Sequence, residues 1–336
     1  MQMIRRRKMS KLNIRTDLAI ESHEMMGGSS ENSDISGVKV DVDEDLENKI
    51  LTTWVEVLNE QGSKEMGKPI GKYVTIESQA MKENDVFAEE IITTTLSKKL
   101  MKLKALDEKD TILIVGLGNW NVTPDALGPK VVSKVLVTRH ILESLPEKID
   151  KSVRTVCAIS PGVMGLTGIE TGEIVKGVVE KVKPNIVIAI DALAARKSSR
   201  VNTTIQMSDT GIAPGAGVHN NRMMLNEDSL GVPVIAIGVP TVVDAATLVN
   251  DTMDIMLQEI SKEADGSEFY NMLSDLELED KYGLIKEVLN PYVGNMFVTP
   301  KDIDAVIERL AKIIANALNI ALHPGIDSND INRYLN

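Results

Sequence analysis

The chain is short of cysteine, of aromatic rings and of positive charge. Its one cysteine, Cys157, forbids an internal disulfide and removes any cysteine-rich zinc site. Ten aromatic residues in 336, with 37 basic against 49 acidic side chains and a net charge of −12, supply neither the stacking platforms nor the cationic field of a nucleic-acid binder. No apolar run approaches the ~18 residues of a membrane span. The longest clean ones, such as Ile186 to Ile190, are strand-sized. His23, His140 and His323 have no metal-ligand spacing. A basic N-terminus (Arg5, Arg6, Arg7, Lys8, Lys11) lacks the apolar segment of a secretory signal, so a reducing, cytoplasmic compartment is expected.

What is present is a globular composition, 43% hydrophobic and 26% charged, in a chain long enough to bury a sizeable core. Residues 1–17 stand apart: six basic side chains against one acid, Asp17, leave the remainder at −17. Residues 27–45 are polar and acidic and read as a loop. Short β-branched or apolar runs at 73–76, 111–115, 153–159, 185–190 and 234–237 read as strands. They alternate with helical patterns over 84–106, 124–142, 171–182 and 244–260. A last helix has Thr299 at its N-cap, Pro300 at its first position and an apolar stripe from Ile303 to Leu318. Buried strands alternating with helices predict an α/β fold, a mostly parallel sheet covered by helices on both faces.

In such sheets ligands bind beyond the carboxyl ends of the strands. That rule selects Asp191, directly after Ile190, and Asp125, in the loop-to-helix junction after the strand ending at Val115. Two carboxylates over one crevice push their pKa values apart, so that one holds a proton while the other activates water. Asp125, in a first helical turn where the dipole favours the ionised form, is assigned as base, and Asp191 as proton donor. The basic run from Arg196 to Arg200 offers guanidinium forks for a carboxylate, or is a solvated, charged loop balancing neighbouring acids. Gly116-Leu117-Gly118 lacks the third glycine of a dinucleotide loop. Asp209-Thr210-Gly211 occurs once and reads as a turn. The glycine-rich stretch Ala213 to His219 is either a set of tight turns or a lining of the crevice, and Cys157 reads as a buried, inert thiol.

Several segments together carry a resemblance. They include Ile14-Arg15-Thr16-Asp17-Leu18-Ala19, Val115-Gly116-Leu117-Gly118-Asn119-Trp120 through Asp125 to Pro129, Ser160-Pro161-Gly162-Val163-Met164-Gly165, Ile190-Asp191-Ala192-Leu193, Ala213 to Arg222, and Gly231 to Asp244. The chain resembles the germination proteases of spore-forming bacteria. The resemblance implies a fold similar to the hydrogenase maturation proteases. It also implies a cytoplasmic endopeptidase of the developing spore and spore core that starts the degradation of small acid-soluble spore proteins. Asp125 and Asp191 match the positions regarded as catalytic in that family. In the maturation proteases the equivalent acids bind a metal. No cofactor is expected here, but a divalent metal at the aspartate pair stays open.

The resemblance further implies a homotetramer with no nucleic-acid or membrane partner, made as a zymogen that removes its own propeptide. Family specificity favours Glu or Asp before the cut, then a large apolar residue, then Ala. Asp17-Leu18-Ala19 fits, which makes residues 1–17 the propeptide and 18–336 a single peptidase domain with an insertion or accessory region around 263–300. Arg196, Arg200 and Arg222 are candidate readers of the acid before the cut. A non-catalytic or metal-binding relative of the maturation proteases, and a nucleotide-dependent α/β enzyme, are the alternatives.

Overall fold

The computed structural model describes residues 16–26, 35–144, 153–215, 222–263, 283–285, 287–289 and 296–325. Residues 1–15 of the expected propeptide, His219 and most of the expected accessory region lie outside them. The strands are β1 (Val38–Asp45), β2 (Ile50–Val57), β3 (Gly71–Glu77), β4 (Thr111–Gly116), β5 (Thr155–Ile159), β6 (Ile186–Ala195), β7 (Thr204–Ser208), β8 (Val234–Asp244) and β9 (Phe297–Val298). They form one mixed sheet in the order β1-β2-β3-β7-β8-β6-β4-β5, with β9 paired to β8. The half made by β8, β6, β4 and β5 is parallel, and β1, β2, β3 and β7 add to it antiparallel.

Described helices are α1 (Ala19–Met25), α2 (Glu60–Met66), α3 (Val86–Leu103), α4 (Leu127–Val132), α5 (Arg139–Ser144), α6 (Met164–Thr167), α7 (Thr171–Val182), α8 (Glu227–Leu230), α9 (Ala245–Glu263) and α10 (Ile303–Leu322). Alternation along the strands decides which helix covers which face. Ile112 and Ile114 of β4, with Ile186, Ile188 and Ile190 of β6, pack beneath α3, α4 and α10. Leu113, Val115, Val187 and Ala189 point the other way, against Val175 and Val179 of α7 and Leu230 of α8. The fold is α/β with helices on both faces.

Three expectations change. The polar stretch 27–45 contains β1 at its end, because Val38, Val40 and Val42 alternate with polar residues, the period of a half-exposed strand. The helix expected over 124–142 is interrupted after α4. Leu136 N–H donates to the Asn319 side chain (2.8 Å) and Thr138 N–H to Val156 O (2.9 Å), so tertiary partners take the donors that would have continued it. Thr299 does not cap α10. Its hydroxyl donates to Thr241 O (2.8 Å) beside β9, and Asp302 occupies the N-cap position.

The carboxyl end of the parallel half depends on two glycines. A Cβ at Gly128 would lie 2.3 Å from Leu117 O and 2.7 Å from Ile190 O, and one at Gly116 would lie 2.2 Å from Gly128 O. The backbone of α4 therefore touches the ends of β4 and β6 with nothing between them. Gly128→Ala has no flexible side chain to displace and should destabilise the chain by about 2 kcal/mol or more, read as a lower urea midpoint at unchanged slope.

Candidate active site

The two aspartates meet where β4 stops and β6 continues. The last β4–β6 pair is Gly116 with Ile190, and Leu117 N–H still donates to Ile190 O (2.8 Å). Asp191 is therefore inside a ten-residue strand, one residue past the end of its neighbour, rather than at a strand terminus. Asp125 closes a short 3-10 turn, Thr123–Asp125, set by Pro124. Its N–H donates to Val122 O (2.8 Å) and its carbonyl accepts from Asn119 N–H (3.0 Å). Gly118 makes the return possible: its φ is +113°, and a Cβ there would sit 2.0 Å from Asp125 O.

Electrostatics set the two carboxyls apart. Asp191 is buried, and accepts Ala192 N–H at 2.9 Å. Burial raises its pKa well above the usual carboxylate range, and the charges of Asp125 and Asp17 raise it further. Burial also lifts Asp125, to about 6, against the pull of Arg222 and of the Asn119 N–H. Both carboxyls are thus raised, Asp191 by burial and by the charge of Asp125 beside it. Arg222 is the basic group that acts on both members.

A third carboxyl belongs to the same place. Asp17 is half-buried, and its side chain accepts Ala194 N–H at 3.0 Å. Burial raises its pKa, while that bond and the ammonium of Lys68 oppose the rise. The register of β6 on β8 slips between Leu193 and Ala194, beside Pro240, and this irregularity accompanies the donation of the Ala194 amide to Asp17. Leu18, wholly buried, packs on Ile20 and Leu193, with Ile212 alongside. Ala19, also wholly buried, is enclosed by Val38, Val55, Val57, Met66 and Tyr73.

Arg196 and Arg200 sit elsewhere. The Arg200 guanidinium grips Glu24 with both terminal nitrogens (2.9 and 2.6 Å) and donates from Nε to Glu77 (2.8 Å). The Arg196 Nη1 stands 3.8 Å from Asp251 of α9, while the backbone amides of Arg196 and Lys197 cap Glu21 at 2.8 and 2.9 Å. The Thr16 hydroxyl donates to that same glutamate. This part of the basic run clasps α1, the helix that follows Leu18, while the Asp17 carboxyl accepts from the Ala194 amide and feels the charge of Lys68.

Comparison with known proteins bears on this arrangement. A family model described as Germination protease matches residues 17–270 and 258–335. The chain belongs to the germination protease family. Among curated germination proteases, that of Clostridium perfringens (strain ATCC 13124) is 54% identical over 325 residues, covering 96% of this chain and 99% of its own. That of Clostridium tetani is 54% identical over 326 residues, 97% and 100% of the two chains. That of Bacillus cereus (strain AH187) is 42% identical over 361 residues, 97% and 98%. A solved structure of a NiFe hydrogenase maturation protease, HycI from Thermococcus kodakarensis, aligns with 62% of this chain and 93% of its own at 19% identity. Its TM-score of 0.27 is too low to bear on the site.

For a member of the germination protease family the question of a metal is one of donor set. Among the described residues no three His, Cys, Asp or Glu side chains are arranged to hold a metal ion. Burial raises the pKa of Asp191, which opposes the doubly ionised pair a divalent ion would need, and the charge of Arg222 acts on both carboxyls. These residues do not fit a divalent-ion site. Among the described residues no helix is long and apolar enough to cross a membrane. Two polar residues at the site, half-buried Lys68 and buried Gln206, escape sequence reasoning. Lys68 lies in a Gly-Lys-Pro turn with no pattern around it. Gln206, the polar centre of a buried strand, is the kind of anomaly that could have been flagged.

Raised carboxyl pKa values are also a stability statement. Asp125 binds its proton more tightly folded than unfolded, so this contribution is full below about pH 3.8 and is lost as pH rises through 6. Asp125→Asn carries no such loss. Its melting temperature should exceed that of the unchanged chain at pH 8, and the gap should close as pH falls below 4, as read by calorimetry.

Proposed function

We propose that this chain is an endopeptidase that cuts peptide bonds with water activated by the Asp125–Asp191 pair. It is made as a zymogen and cuts itself between Asp17 and Leu18. Its substrates are small acid-soluble spore proteins, cut after Glu or Asp and before a large apolar residue followed by Ala. It works without a metal, as a homotetramer, in the cytoplasm of the developing spore and in the spore core. Family membership supports the peptidase, and the resemblance in the sequence supports substrates, assembly and compartment.

One observation carries the reading. The acid of the segment Asp17-Leu18-Ala19 is near enough to Asp191 for its charge to raise that carboxyl. Each of its three side chains has its own environment: an amide donor for Asp17, an apolar recess at Leu193 and Ile212 for Leu18, and a cluster of buried apolar side chains around wholly buried Ala19. Acid, large apolar residue and alanine are the order the specificity requires.

The chemistry follows from the two protonation states. Ionised Asp125 takes a proton from water as the water oxygen bonds to the carbonyl carbon of residue 17, and the π pair moves onto the carbonyl oxygen. As the intermediate collapses the C–N bond breaks, and Asp191 gives its proton to the Leu18 nitrogen. The proton gained by Asp125 passes back to Asp191 and restores the pair.

Asp125→Asn and Asp191→Asn should each abolish appearance of the Leu18 N-terminus, read by N-terminal sequencing, with far-UV circular dichroism unchanged. Cutting by both folded variants overturns the assignment. In the unaltered chain the rate should rise about tenfold per pH unit below pH 6 and level above it, and should survive exhaustive chelation.

A further inference from the structure

Lys68 is a half-buried lysine whose ammonium is turned inward, which is costly unless something compensates its charge. Its position is fixed locally. Gly67 ends α2 in the left-handed conformation (φ +61°), Pro69 stiffens the next bond, and the Ser63 hydroxyl donates to Lys68 O (2.8 Å). From there the ammonium donates to Thr16 O at 2.7 Å and to Asp17 O at 3.0 Å. The carboxyls of Asp17 and Glu21 offset the desolvation of the ammonium.

Gln206 meets the same bond from the sheet. Its Nε2 donates to Asp17 O (3.1 Å), and its Oε1 accepts Ala19 N–H (2.6 Å). The side-chain amide thus spans the Asp17–Leu18 peptide, holding the carbonyl before it and the N–H after it. Two donors from separate elements, one of them a full positive charge, converge on one carbonyl oxygen within about 3.1 Å, the distance at which developing charge is stabilised. In the described residues Asp17 O is the backbone carbonyl that receives both.

We propose that Lys68 and Gln206 are catalytic residues that form the oxyanion clamp of this peptidase, and that Lys68 with the Ala194 amide reads the acidic side chain before the cut. The proposal rests on the Asp17–Leu18 bond being the one cleaved. In the addition step the π pair of the C=O bond comes to rest on an oxygen already held by both donors. The proton accounting at Asp125 and Asp191 is unchanged. The charge of the Asp17 carboxyl, held by the Ala194 amide, also acts on that ammonium, so an acid before the cut places its charge where the lysine needs one. A neutral residue there leaves the ammonium undercompensated.

The test measures the first-order appearance of the Leu18 N-terminus in the full chain. Lys68→Met should slow it by about 100-fold or more, Gln206→Met by about 10- to 100-fold, and Lys68→Arg should recover part of the loss. Asp17→Asn should slow the unaltered chain, yet cost less in Lys68→Met, where only the Ala194 amide still reads that side chain. A part that only anchors the segment predicts additive losses instead. Folded Lys68→Met and Gln206→Met chains that cut at the normal rate, or additive losses in the crossed variants, overturn the clamp. Should Lys68→Met fail to fold, Gln206→Met and Lys68→Arg carry the test. An unaltered chain that cuts, but not at Leu18, overturns the cleavage-site reading and is seen before any variant is compared.

Discussion

Everything at this site depends on burying carboxyl groups at the one point where a parallel strand ends and its neighbour runs on. β4 stops at Gly116 while β6 continues to Ala195, which leaves Asp191 within the sheet with no β4 residue opposite it. Dehydration there raises the pKa of Asp191, and the carboxyl of Asp125 nearby adds to the rise. Packing thus gives two side chains of one type different environments, the difference on which the proposed donor and acceptor roles rest. The glycines at 116, 118 and 128 are required for the same reason, since each lets backbone approach backbone where a side chain would hold the loop away.

The antiparallel half of the sheet has a different role. β7 carries Gln206 and β3 carries Tyr73, and with α2 they form a recess for residues 16–20 against the extended end of β6. Its floor is the stretch of β6 beyond Asp191, where Leu193 receives Leu18 and the Ala194 amide receives Asp17. Arg200 and the amides of Arg196 and Lys197 then hold the glutamates of α1 behind it. Residues 16–20 of the chain itself occupy this recess.

Much of this was legible in the sequence because it is local. The buried strands and the alternating helices follow from runs of apolar residues, and one topological rule selects Asp125 and Asp191, although Asp191 lies beyond the end of β4 and inside β6. What was misread is tertiary. Asn319, 183 residues away from Leu136, takes the donor that would have extended a helix past α4. Thr299 has the chemistry of a cap but finds Thr241 first. The basic run 196–200 has the composition of a carboxylate reader, yet the carboxylates that meet Arg200 are Glu24 and Glu77, brought in from other elements. Lys68 and Gln206 lie 51 and 189 positions from Asp17, and no spacing rule joins them to it.

The central claim is that packing gives two like side chains opposite protonation states near neutral pH. Carbon-13 NMR titration of the aspartate carboxyl carbons in the folded chain, with Asp125 and Asp191 identified by single substitution, measures it directly. The account predicts that Asp125 titrates near pH 6 and that Asp191 is still protonated when Asp125 has lost its proton. Both carboxyls titrating together in the ordinary range near pH 4 would contradict it.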